Sequence, residues 1–279
     1  MGIRKLYIDS RRKISGTHSD FDYQLPNPIQ VPQCRCFVDA VHIANIFPTI
    51  TEHSKFIYIS ERATNNAIAY RKVELTANKS FDGTSLAAEI ASKLNVGTTL
   101  TASSYSCTFD DTTGRLTIAN STVSPSTFTI WPAEYLKKAT WNPANATPGA
   151  GTFIEGDDCY DVIGFAGGAG ITGAQLSVSG EGHINVMPYH SLFLHSSLGL
   201  QGDSIAPDYS QSVIRKIVID QPPGSMVNDF HSLPYDFVTV QNSQIRNLHF
   251  RVADFRGRTV NMLHTNISFS LLFVPEDEF

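Results

Sequence analysis

Residues 183–199, HINVMPYHSLFLHSSLG, residues 246–262, RNLHFRVADFRGRTVNM, and residues 267–274, ISFSLLFV, decide the fold. Each is a short run of β-branched, aromatic and leucine side chains broken by Gly, Pro, Asp or Asn, which is how strands of a sandwich or barrel look in sequence. The opposite end of the chain has the same texture. LYI (6–8), FDYQL (21–25), CFVDAVHIANIF (36–47) and KFIYIS (55–60) are separated by polar or Pro-rich segments. In the third of these, the two-residue period puts Phe37, Val41 and Ile43 on one face, with Asp39 interrupting them. Late runs follow at HINVM (183–187), SLFLHS (191–196), IRKIVID (214–220), DFVTV (236–240), LHFRV (248–252) and ISFSLLF (267–273). Four early and six late runs are about what an eight-stranded jelly roll with edge extensions needs. The expected fold is therefore mainly β: a single jelly roll, an antiparallel β-sandwich, whose two halves are residues 1–65 and 181–279.

Between them the texture changes, and residues 66–180 read as an inserted small α+β domain. AYRKVEL (69–75) predicts a strand. FDGTSLAAEIASKLNVG (81–97) predicts a helix, because Leu86, Ile90 and Leu94 recur every four residues with Ala87 and Ala91 beside them. Thr84 or Ser85 is the expected cap of its start and Asn95 or Gly97 its end. Tyr105, Cys107 and Phe109 alternate, DDTTG turns the chain, and Leu116 and Ile118 alternate back, which predicts a hairpin. FTIW (128–131) is a further strand, and the helix stripe would cover one sheet face. From 142 to 182 the composition is loop-like.

The chain has 279 residues, of which 42% are apolar and only 17% charged, with 19 Gly and 14 Pro and a net charge of −5. That excludes the low-hydrophobicity, high-charge composition of disordered chains and does not advertise nucleic acid. Basic charge is dense only at the start. Arg4, Lys5, Arg11, Arg12 and Lys13 oppose Asp9 alone, which reads either as a solvated strand end or as a weak DNA-facing edge. Cys34, Cys36, Cys107 and Cys159 form no CxxC pair and no zinc spacing with histidine, so reduced thiols are expected. No stretch reaches the roughly 18 apolar residues of a membrane helix, and the N-terminus lacks a signal-peptide core, so neither membrane insertion nor export is expected.

The chemistry candidates are thin. GAGITG (168–173) matches GxGxxG, with DVIGF as its possible strand, but AQLSVSGEG is a poor helix, so a loop is expected. Asp157, Asp158 and Asp161 read as a solvated turn or as a carboxylate pair for a glycosidase on a β-sandwich. His190 and His195, an odd number apart on one strand, point to opposite faces and cannot share a metal. With no GxSxG, HExxH or Walker loop, neither catalytic residues nor a cofactor or metal site is expected. Arg246, Arg251, Arg256 and Arg258 read either as subunit-interface arginines or as an ordinary solvated hairpin bent at Phe255-Arg256-Gly257.

LYIDSRRKISGTHSDFDYQLP (6–26), MPYHSLFLHSSLG (187–199), LPYDFV (233–238) and FRVADFRGRTVNM (250–262), ending in ISFSLLF, together resemble the penton, or minor capsid, proteins of the polinton, polinton-like virus and virophage group of double-stranded DNA viruses. The likeness covers both ends, about half of the chain. It implies a structural virion protein: an upright jelly roll, five copies of which close each fivefold vertex of an icosahedral capsid. The implied partners are further copies of itself, a double-jelly-roll major capsid protein, and a host receptor reached through the outward-facing insertion. It implies no catalytic residues. The alternative is a binding module such as a trimeric fibre head or a carbohydrate-binding jelly roll.

Overall fold

A computed structural model describes residues 2–63, 65–100, 104–121, 127–131, 157–165, 176–199, 205–230, 237–241 and 243–275. The chain forms two compact units, Met1–Phe47 with Tyr189–Phe279, and Pro48–Pro188. Along the chain, β1 (Arg4–Asp9) leads through a 3-10 turn at Ser10–Arg12 to β2 (Ser15–Gly16), β3 (Asp20–Val31) and β4 (Cys34–Ala44). The second unit then supplies β5 (Phe56–Arg62), β6 (Ile68–Glu74), α1 (Gly83–Asn95), β7 (Tyr105–Asp110), β8 (Arg115–Asn120), β9 (Thr127–Ile130), α2 (Tyr160–Ile163) and β10 (Ser177–Ser179). The first unit is completed by β11 (Ser191–Ser196), β12 (Val213–Val218), β13 (Met226–Asp229), β14 (Val238–Val240), β15 (Ser243–Ala253) and β16 (Ile267–Pro275).

The first unit is a jelly roll. One sheet runs β1-β16-β4, with β13 and β14 lying one after the other along the far side of β4; the other runs β12-β11-β15-β3-β2. All pairings are antiparallel. With β13 and β14 taken as one interrupted strand and β2 set aside, every strand connection switches sheets except β11–β12, as in a sandwich rolled from two Greek keys. Head and tail of the chain are direct neighbours, in register from Arg4 opposite Phe273 to Asp9 opposite Ser268. Phe21 and Phe250 face each other across β3 and β15 with ring centroids 5.6 Å apart, and Phe269 of the opposite sheet meets Phe250 edge-on at 4.9 Å. These rings tie the sheets together; each such aromatic pair is worth roughly 0.5–1.5 kcal/mol beyond its buried area.

Three expectations change here. A bulge at Asp39, where pairing steps from Ser270–Ala40 to Leu271–Val38, breaks the two-residue period of β4. Cys34, Cys36 and Val38 before it and Val41 and Ile43 after it all join the core. Phe37 turns to the other side and packs near Phe237, with centroids 5.9 Å apart. KFIYIS, expected in the jelly roll, is β5 and pairs with β6 and β9, so the first half of that unit ends at Phe47 and not at 65. HINVM is no strand: Ile184 N–H donates to Gly114 and Asn185 N–H to Val162, which keeps this segment in the second unit and moves the return point from 181 to Tyr189. Proline stands at both junctions, Pro48 and Pro188.

The second unit has two three-stranded sheets, β6-β5-β9 and β10-β8-β7, with α1 packed on β7. Leu86, Ala87, Ile90 and Leu94 are buried, as the stripe predicts. The cap is Asp82, not Thr84 or Ser85: its carboxylate accepts the Ser85 N–H at 2.7 Å while Ser85 Oγ accepts the Asp82 N–H at 3.0 Å. A reciprocal pair of this kind satisfies two otherwise orphan donors. Gly83 lets the helix start sit on the hairpin, because a Cβ there would lie 2.4 Å from the Phe109 ring. DVIGF, considered above as a strand, is the single helical turn α2, closed by Gly164 at φ 75°. GAGITG lies outside the described residues, as does most of LPYDFV.

Two buried polar clusters organise this unit. Glu61 of β5 is fully buried and receives Arg71, Thr98 Oγ1 (3.0 Å), the Thr99 N–H (2.8 Å) and hydroxyl (2.6 Å), and the Tyr105 hydroxyl (2.9 Å). Arg71 also donates to the carbonyls of Leu94 (2.9 Å) and Val96 (2.6 Å), orphan acceptors at the end of α1. In the second cluster Asp157 accepts from the Tyr58 hydroxyl (2.8 Å) and Lys72 Nζ (2.7 Å).

Candidate functional site

The arginine-bearing turn after β15 is built around one carboxylate. Asp254 is buried, 3% exposed, and accepts the backbone N–H of Arg256 (2.8 Å) and Arg258 (2.9 Å) as well as Arg258 Nε (3.0 Å). Arg251 Nη1 donates to the Gly257 carbonyl at 3.0 Å. Gly257 is at φ 74°, so a larger residue there would strain the backbone and also displace the Asp208 carboxylate, 2.1 Å from where its Cβ would lie. Arg251 and Arg258 therefore brace the turn from within. Its tip presents Phe255, 50% exposed, with the Arg256 guanidinium 5.0 Å from the ring centroid. Arg246 is exposed at the other end of β15, about 23 Å away along the strand. The four arginines do not form one patch.

The basic start of the chain is largely engaged by its own fold. Arg4 donates to the Gln30 carbonyl at 2.8 Å, Lys5 pairs with Asp39, and Arg11 grips Asp9 with Nε at 3.0 and 3.1 Å. The Lys5 and Arg11 bonds hold the Asp39 and Asp9 carboxyls below the usual range. Large apolar side chains stand out on both outer faces of the jelly roll. Tyr7 of β1, Met226 of β13 and Phe230 beside His42 of β4 lie on one side and Val218 of β12 on the other, while Tyr209 and Phe255 stand out from the loops after β11 and β15. Among these only Phe255 was singled out by the sequence reading, as part of a bend; strand alternation next to Ile8, Val227 and Ile217 marks Tyr7, Met226 and Val218.

The three aspartates are not one site. Asp157 is buried in the cluster above and is not part of a solvated turn, Asp158 has its carboxyl pushed up by burial, and Asp161 is exposed in the first turn of α2. His190 is exposed ahead of β11, whereas His195 is buried with Nδ1 2.9 Å from Ser212 Oγ. Its Nε2 has no partner among the described residues. Burial, then the Arg251 charge, pushes the His195 imidazole down to about 4. Asp208 accepts from Ser210 at 2.8 Å, so the nearby Ser, His and Asp are not ordered as nucleophile, base and orienting acid. Among the described residues no three His, Cys, Asp or Glu side chains gather as metal ligands. All four cysteines are free; burial raises the Cys36 and Cys159 thiols and pushes Cys107 up to about 12.

The class this defines is a mainly β chain with a jelly-roll unit, interrupted between β4 and β11 by a second unit, with exposed apolar groups on both faces of the roll. Among solved structures it is similar to a crystal structure of the mavirus penton protein, with a TM-score of 0.52 and 10% identity over 98% of this chain and 99% of that chain. At that identity the likeness is one of fold. No protein-family model and no curated protein matches the sequence.

Proposed function

We propose that this chain is a penton-type structural protein that closes the fivefold vertices of an icosahedral capsid as a homopentamer. The observation that carries the proposal is the end-to-end correspondence with the mavirus penton fold, at 98% and 99% coverage, which takes in both units. The two outer faces support it. A cyclic ring joins two different surfaces of neighbouring copies, and both sides of this jelly roll expose apolar groups. The Phe255–Arg256 tip has the aromatic-and-arginine chemistry enriched in such contacts. A double-jelly-roll major capsid protein is the proposed neighbour in the shell, residues 48–188 the proposed contact to a host receptor, and the virion the proposed location.

The same reading bears on packaged DNA. Ser10 accepts the Ile267 N–H at 3.0 Å, and Ile267 pairs with Ile43 shortly before the chain leaves the jelly roll at Phe47. Arg11, Arg12 and Lys13 thus sit at the end of the jelly roll where β4 finishes. A contact with packaged DNA would be made through these side chains, at this end of the roll.

Native mass measurement and electron microscopy of the purified chain, alone and with its major capsid protein, test the proposal. Fivefold rings that enter particle vertices are expected. A trimer would favour the fibre-head alternative, and a monomer excluded from particles would overturn the proposal.

A further inference from the structure

Where β1 turns toward β3 and β15 turns into β16, the first unit holds a cavity of about 550 Å³. Among the described residues lining it none carries a carboxylate; its titratable groups are Lys13, His18 and His264, and Thr17, Thr259 and Asn261 add polar groups. His18 is aimed by the fold. Its Nδ1 lies 3.0 Å from Ser10 Oγ, which is itself fixed by the Ile267 N–H, and this turns Nε2 to within 3.5 Å of Lys13 Nζ. His264 arrives from the other loop on unusual backbone. Leu263 and His264 both have positive φ, 44° and 67°, a conformation non-glycine residues adopt at a cost of order 1–3 kcal/mol each. The loop is held there by the Leu263 N–H on Asn261 Oδ1 (2.9 Å) and the Thr265 hydroxyl on the Met262 carbonyl (2.7 Å).

We propose that this cavity is an oxyanion site, in which the phosphate or sulfate group of a small ligand is held between Lys13, His18 and His264. Donors converging from two loops suit the three or four acceptor oxygens of a tetrahedral anion better than the two of a carboxylate. The groups facing His18 are Lys13, His264, Ser10 and Asp9, and the Asp9 carboxylate is gripped by Arg11. Burial, then Lys13, lowers the His18 pKa below its ordinary value, with His264 adding to this and Asp9 opposing it. An anion between these groups favours the protonated imidazole, so binding draws a proton onto His18 and strengthens as pH falls. This inference stands apart from the capsid proposal and survives or fails independently of it.

The test is titration of inorganic sulfate into the full chain, followed through the histidine ring signals by NMR at about pH 6 and about pH 8. Sulfate keeps its charge across that interval, so a change in affinity belongs to the protein. Saturable shifts at His18 and His264 are expected, with affinity about tenfold higher at the lower pH. Lys13→Met is expected to weaken binding about tenfold at both pH values, His18→Gln to reduce the gain on acidification, and His18→Gln with His264→Gln to abolish it. Inorganic phosphate run in parallel shows which anion the site prefers, since saturation by either one supports the site. Non-saturable shifts for both ions, equal affinity in Lys13→Met, or equal binding of acetate would each overturn it. If Lys13→Met lowers the unfolding midpoint, Lys13→Gln carries the same expectation.

Discussion

The two units solve the same packing problem with different chemistry. At the centre of the jelly roll the contacts are apolar, and the rings of Phe21, Phe250 and Phe269 join strands more than 200 residues apart in the chain. Its Arg215–Asp229 pair, at 2.7 and 3.0 Å, links β12 to β13, at the edges of the two sheets. In the second unit, charge stands at the centre. Glu61 and Arg71 fasten the end of α1, the 98–99 loop and β7 to the β5–β6 pair. An apolar sandwich tolerates many side chains of suitable volume. A buried carboxylate with five donors admits one arrangement, because any donor that leaves uncovers the charge. The lesson is that the α+β unit gains definition from its polar cluster, where the jelly roll, of nearly equal length, gains it from strand order.

This contrast can be broken by experiment. Glu61→Ala leaves Arg71 buried without its carboxylate and is expected to cost about 3–5 kcal/mol. Hydrogen exchange should show the loss over β5–β9 and α1 with β3 and β15 still protected; equal loss in both units would erase the distinction. Acid should act on the other unit through His195. Its folded pKa of about 4 lies below the ordinary value, so the unfolded chain takes up the proton first. Stability is then fully present above about pH 6.5 and declines toward about pH 4, by roughly 2–3 kcal/mol in all. Comparing denaturation of the parent with His195→Gln across that range isolates this share; parallel curves would refute it.

Smaller effects sharpen the comparison. Phe250→Leu should cost about 1–2 kcal/mol, confined to the jelly roll, through the gap it leaves between the sheets. Asp82→Ala should cost about 1 kcal/mol and loosen only the start of α1, readable as faster exchange of its first amides. The pair Phe255→Ala with Arg256→Ala should change monomer stability by no more than about 0.5 kcal/mol while weakening ring formation in sedimentation. Rings of undiminished stability would remove this tip from the proposed interface.

How far the sequence is legible follows from the range of the interactions concerned. Alternation marked β7 and β8 and the four-residue stripe marked α1, because both patterns reflect side chains adjacent on one element. The Asp82 cap escapes a sequence reading that offers its reciprocal partner Ser85, since either residue can serve until the helix start is known. The two-residue period puts Phe37 on the wrong face because a bulge at Asp39 exists only in relation to β16. The four arginines looked like one group because they are close in sequence. Asp254 and Gly257 decide that Arg251 and Arg258 brace the turn, and the length of β15 decides that Arg246 is elsewhere.

By itself, then, the sequence determined the β character of both ends and the helix and hairpin between them, since spacing along one element dictates which side chains share a face. Tertiary structure alone decided that KFIYIS belongs with β6 and β9, that Glu61 meets Arg71 at the end of α1, and that Lys13, His18 and His264 surround one cavity. Those outcomes depend on which strands and loops become neighbours, a choice made by the fit of whole surfaces and written in no single stretch of residues.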